Sequence, residues 1–123
     1  MVAVASGGAI GSVLRYLATM AMTQRWGPGF PYGTLFVNLT GSLVIGVIAE
    51  LLQTRAIDAS PAVRLFLIVG VLGGYTTFSS FAYDNLILLQ DGVPWTALAY
   101  AMGSVVAGTT AALTGMLLVR LLP

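Results

Sequence analysis

The segment Gly73-Gly74-Tyr75-Thr76-Thr77-Phe78-Ser79-Ser80-Phe81 sets two adjacent glycines and four Ser/Thr hydroxyls inside an apolar run long enough to cross a bilayer. Such material makes a poor unbroken helix. Non-helical backbone at membrane depth persists only where protein buries it or where it lines a polar cavity. Two chemistries are open to it. Carbonyls freed between Gly73 and Thr77 suit a cation, as carbonyl rings do in ion filters. The half-helix that starts near Ser79 and Ser80 presents unpaired N–H groups and a positive dipole end, which suits an anion. Thr77 and Ser80 hydroxyls serve either charge. A plainer reading is a kink whose hydroxyls bond back to helix carbonyls.

Other residues extend the pattern. Phe78 and Phe81, three apart, share a helix face; lipid or core contact is the usual fate of such rings. A ring edge is also electropositive, so a pair of edges beside a narrow path attracts a small anion. Asn38 lies within the apolar run from Thr34 to Ile48, as interhelical glue or as a pathway ligand. Arg15 sits well inside the first apolar stretch, where charge is costly and points to function unless the stem snorkels to an interface. Asp84 has three open roles: pairing with Arg15, capping polar backbone, or sitting in a water-filled mouth. Tyr100 and Ser104 share a helix face and offer a hydroxyl track.

The elements that must position these residues follow from hydropathy. The chain has 123 residues, is 58% hydrophobic and 7% charged, and has a mean hydropathy of +0.95, whereas soluble domains carry about 25% charged residues. The composition is that of an all-α membrane protein. About 20 apolar residues make a transmembrane helix, and four stretches qualify, at roughly 2–23, 33–52, 62–89 and 95–122, forming one domain with the third helix broken mid-membrane. Turn-rich segments separate them at Gly27-Pro28-Gly29-Phe30-Pro31 and Gln90-Asp91-Gly92-Val93-Pro94. Trp26, Tyr32 and Trp95 fall at span ends, where amphipathic rings prefer the interface. Gly41, Gly46, Gly70 and Gly74 suit close helix packing.

The charges are sparse: five Arg, three Asp and one Glu, net +1. That balance gives no case for nucleic acid. Arg55, Arg64 and Arg120 fall on the side of the termini and Arg25 on the other. This biases the termini weakly to the cytoplasm, and is equally what a protein inserted in both orientations would show. With no Cys and no His, disulfides, thiol nucleophiles, His-based triads and the commonest zinc sites are excluded. The start lacks a basic n-region, so the first stretch is expected to be kept as a span rather than cleaved. No constellation supports catalysis: a Ser-based hydrolase needs a base and an oxyanion hole and there is no His, and Asp84 with Ser79 or Ser80 carries no specific signature.

Gly70-Val71-Leu72-Gly73-Gly74-Tyr75-Thr76-Thr77-Phe78-Ser79-Ser80-Phe81 resembles the third-helix signature of the fluoride channel family, known as CrcB or Fluc. Gly33-Thr34-Leu35-Phe36-Val37-Asn38 looks like its second-helix motif, and Arg15, Tyr100 and Ser104 match in order and spacing. The resemblance implies a passive fluoride exporter of the cell inner membrane, opposing fluoride that enters as the weak acid. It implies a dual-topology antiparallel homodimer with two pores. A structural sodium ion at the dimer centre would be held by main-chain carbonyls, here those of Gly73 and Thr76. Phe78, Phe81, Asn38, Ser80, Thr77, Tyr100 and Ser104 would line the fluoride pathway, and Arg15 would lie at a vestibule. The chain departs from the family pattern at Ser80, usually Thr, and at Asp84, commonly Glu. Gly108 and Ala112 follow Ser104 on its face and leave the extent of the hydroxyl track open.

Two other functions compete with a fluoride channel. A four-helix small multidrug exporter works through a membrane Glu in its first span, where this chain has Arg15; its Glu50 lies near a span end. A non-transporting helix-packing subunit accounts for the glycines but not for Asn38, Arg15 and the hydroxyl-Phe cluster together.

Overall fold

The computed structural model describes residues 1–54 and 56–121. Arg55, used in the charge comparison, and Leu122, the expected end of the last span, lie outside them. Four helical stretches are long and apolar enough to cross a membrane: Val2–Trp26, Tyr32–Gln53, Pro61–Gln90 and Pro94–Arg120. Among the described residues there is no strand. The helix starts use ordinary chemistry. Pro61 and Pro94 occupy first-turn positions, where a missing N–H costs nothing. Ser60 Oγ accepts the Val63 N–H at 3.4 Å. Gly27 and Gly92, in the two tight connections, take φ of 81° and 76°, which a side chain would resist.

The spans pair in parallel, first with third and second with fourth. Gly7 meets Phe66 and Gly70, and Gly11 meets Val71 and Tyr75, so sequence rises together on both helices. A Cβ at Gly7 would strike the Phe66 carbonyl, one at Gly11 the Val71 carbonyl, and one at Gly74 would lie 2.6 Å from the Gly8 carbonyl oxygen. In the second pair, Gly46 backs onto the Ala112 carbonyl and Gly115 onto the Leu43 carbonyl. Without a hydrophobic drive between helices in lipid, such close backbone approach is what holds them. At one end this second pair is joined by an ion pair. Arg120 Nε donates to Glu50 Oε1 at 2.8 Å and Nη2 to Oε2 at 3.3 Å, with the Glu50 side chain only 4% exposed.

The third span is broken, but not at its glycines. It runs as α-helix over Pro61–Arg64, as π-helix over Leu65–Leu72, and as an α-turn over Gly73–Tyr75. Gly73 has φ −64° and ψ −34°, ordinary helical values. Gly74 is needed for contact with the first span rather than for unusual angles. Thr76 (φ −82°, ψ 159°) and Thr77 (φ −154°, ψ 124°) are extended, a conformation β-branched residues favour. The helix restarts at Phe78 and ends at Gln90. The first half of this span lies on the first helix and the second half on the fourth. The break is therefore where the third span changes partners.

Candidate functional site

A single side chain bridges the break. Asn38 Oδ1 accepts the Thr77 N–H at 2.8 Å, and Asn38 Nδ2 donates to the Thr77 carbonyl at 3.0 Å. The amide thus pairs with Thr77 as a neighbouring strand would. Glue describes the bonds it makes, and it still lines the adjoining groove with one N–H to spare. Because Thr77 N–H turns to Asn38, the Gly73 carbonyl loses its ordinary i+4 donor. Thr76 Oγ1 bonds back to the Leu72 carbonyl at 2.9 Å, the kink chemistry expected of a membrane hydroxyl. Arg15 Nη1 reaches the Thr76 carbonyl at 3.5 Å, so this charge points at the break.

Thr77 also starts the second half-helix. Its Oγ1 accepts the Ser80 N–H at 3.2 Å and donates to Ser80 Oγ at 3.3 Å, with Ser79 Oγ 3.2 Å away. This N-cap satisfies one of the four orphan donors of a helix start. Phe78 stands just beyond it, 80% exposed on the single chain. Gly73, Thr76, Phe78, Asn38, Gly41 and Leu72 line an open groove of about 400 Å³.

From Phe78 a row of rings leads away from the break. Centroid separations are 5.5 Å from Phe78 to Phe81, 5.2 Å from Phe81 to Tyr100, and 5.5 Å from Tyr100 to Phe30. Tyr32 lies 4.9 Å beyond Phe30, and Trp26 5.6 Å beyond Tyr32. Tyr100 is 2% exposed, and its hydroxyl donates to Asp84 Oδ2 at 3.2 Å. Asp84 is accordingly placed with Tyr100 rather than with Arg15. Ser104 Oγ is buried without a hydrogen-bond partner among the described residues. The register that sets Gly108 beside Ser42 brings Ser104 level with Asn38. The next hydroxyl, Thr109, bonds back to Val105 at 2.9 Å on an exposed face and does not continue the track. Sequence reasoning did not find Phe30. A ring between two prolines in a connection was the available signal, but nothing local says that it folds inward.

The site joins extended backbone at mid-span, a capped half-helix start, an intramembrane Arg and a row of rings. These features, on four apolar spans, define a multi-pass protein of the cell membrane built to hold a polar locus within it. The model of the family described as CrcB-like protein, Camphor Resistance (CrcB), matches residues 2–116, and the chain belongs to that family. Among curated relatives, a Rhizobium meliloti protein named fluoride-specific ion channel FluC is 53% identical over 117 residues, covering 95% of this chain and 93% of its own. A protein of the same name from Nitrobacter winogradskyi is 48% identical over 122 residues, 99% of this chain and 96% of its own. A third, from Agrobacterium fabrum, is 47% identical over 117 residues, 95% and 93% of the two chains.

Proposed function

We propose that the chain is a fluoride channel that lets the anion leave the cell passively and so limits its toxicity. The observation that carries this reading is 53% identity, across 95% of the chain, to a protein named for fluoride-specific conduction. The reading assigns the chain no catalysed reaction.

In this reading fluoride passes the start of the second half-helix. The spare Asn38 N–H and the Ser80 and Ser104 hydroxyls stand in for its waters, Thr77 and Tyr100 line the path with their own protons turned to Ser80 and Asp84, and the edges of Phe78 and Phe81 face it. Two features support the choice of residues: the N-terminal dipole end of that half-helix favours an anion, and Ser104 keeps an unspent donor. Arg15 adds positive charge at the entrance and steadies the Thr76 carbonyl.

The functional unit of this reading is an antiparallel homodimer with two pores. Its support is the exposure of Phe78 and Gly73 and the open groove beside them, which a second copy would close. A sodium ion at the centre is held by the Gly73 and Thr76 carbonyls of both copies. The donor set fits: carbonyl oxygens suit a hard cation, the Gly73 carbonyl has lost its helical donor to Asn38, and the Thr76 carbonyl keeps a second lone pair beside the long 3.5 Å contact from Arg15. Two carbonyls per chain make half a coordination shell, so the site needs the partner. When bound, the ion supplies positive charge that ties two breaks together.

Fluoride efflux from proteoliposomes, with chloride as the control anion, tests the reading. Folded protein that releases no fluoride overturns it. Replacing all sodium with a large organic cation is expected to lower the flux, and unchanged flux removes the central ion.

A further inference from the structure

We propose that Phe30, in the connection between the first two spans, is a positioning residue of the anion pathway: its ring fixes Tyr100, and with it the Tyr100–Asp84 hydrogen bond. The proposal rests on the fluoride-channel reading. Tyr100 is the buried hinge of the ring row, and two aromatic neighbours set its orientation. Phe81 contacts it at 46° between planes and Phe30 at 83°. The near-perpendicular contact is the geometry in which the positive edge of one ring meets the negative face of another.

Phe30 is itself held. Gly27 turns the chain at φ 81°, Pro28 and Pro31 restrict the backbone on either side, and the Phe30 carbonyl accepts the Tyr32 N–H at 2.8 Å. Its ring also packs against the cluster of Leu88, Ala97 and Tyr100. Phe30 and Asp84 line one recess of about 330 Å³, together with Thr19, Thr34 and Asp91. Asp84 brings negative charge to this recess, and a donated hydrogen bond draws part of that charge towards the donor. The Tyr100 hydroxyl donates to Asp84 and keeps that aim while its ring is held in place. Phe30 meets that ring edge-on at 5.5 Å and resists its turning.

Phe30→Leu keeps an apolar side chain without the ring, while Phe30→Tyr keeps the ring. In proteoliposomes Phe30→Leu is expected to lower fluoride flux about fivefold, in line with the strength of one aromatic pair, and Phe30→Tyr to restore most of it. In a Tyr100→Phe background, Phe30→Leu is expected to add nothing. A readout independent of transport is the ring Cζ resonance of Tyr100 in carbon-13 NMR, identified as the signal lost in Tyr100→Phe. In Phe30→Leu it moves towards its position in Asp84→Asn, where the carboxylate acceptor is gone, and it stays in Phe30→Tyr. A lower melting temperature with unchanged flux per folded protein and an unmoved resonance makes Phe30 packing alone and overturns the proposal. Additive losses in the double variant also overturn it. If wild-type protein carries no fluoride but the resonance shifts, the channel reading falls and the positioning of Tyr100 stands.

Discussion

At the scale of residues, the decisive contact is Asn38 on Thr77. Asn38→Ala strands a buried N–H and a buried carbonyl, a cost of about 1–3 kcal/mol for each unsatisfied group. It is expected to lower the melting temperature and to abolish flux, read by thermal unfolding in detergent and by efflux. Asn38→Asp keeps an acceptor for the Thr77 N–H but sets a second oxygen against the Thr77 carbonyl; flux is expected to fall as far as with Ala. Wild-type flux in either variant would show that the bridge is dispensable. In the sequence Asn38 was legible as an amide in need of partners. The identity of the partner was not, because it lies 39 residues away and is backbone, which carries no side-chain signature. Arg15 was similarly visible as an intramembrane charge, while its contact with the Thr76 carbonyl depends on how two spans meet.

At the scale of elements, four spans could be read from hydropathy alone, because the length of an apolar run fixes what can cross a bilayer. The break was also readable, but its place was not. Paired glycines suggest unusual angles, yet Gly73 is helical and Gly74 serves a helix contact, and the Thr pair supplies the extended residues. The same pairing yields a prediction. Gly11→Ala drives a methyl into the Val71 carbonyl, whereas Gly103 has open space around it. Gly11→Ala is expected to destabilise by about 1–3 kcal/mol, as overpacking does, and Gly103→Ala to leave the melting curve in place. Equal effects would count against the parallel pairing of the first and third spans. The Glu50–Arg120 pair, 70 residues apart, could not be read from spacing. It predicts an asymmetry. Arg120→Ala leaves a carboxylate that is 4% exposed without its cation, while Glu50→Ala leaves an Arg side chain that is 52% exposed and reaches water. The Arg120 variant is expected to melt lower, and the reverse order would show that the pair contributes little.

At the scale of the whole molecule, the proposed antiparallel dimer is expected to present both faces alike. An impermeant reagent added outside sealed vesicles should label a terminal tag on about half the chains, since a weak Arg bias does not fix orientation. Complete labelling or complete protection would establish a single orientation. The Asn38 bridge bears also on how the chain is made. Thr77 exposes a donor and an acceptor that lipid cannot satisfy, and the amide that satisfies both arrives on the preceding span. A nascent chain that delivers its spans in order has Asn38 in the bilayer before Thr77 enters it. A rearranged gene that sends the third span in first would leave those groups bare for as long as the second takes to follow, so the order of synthesis is itself part of what lets a broken helix be inserted.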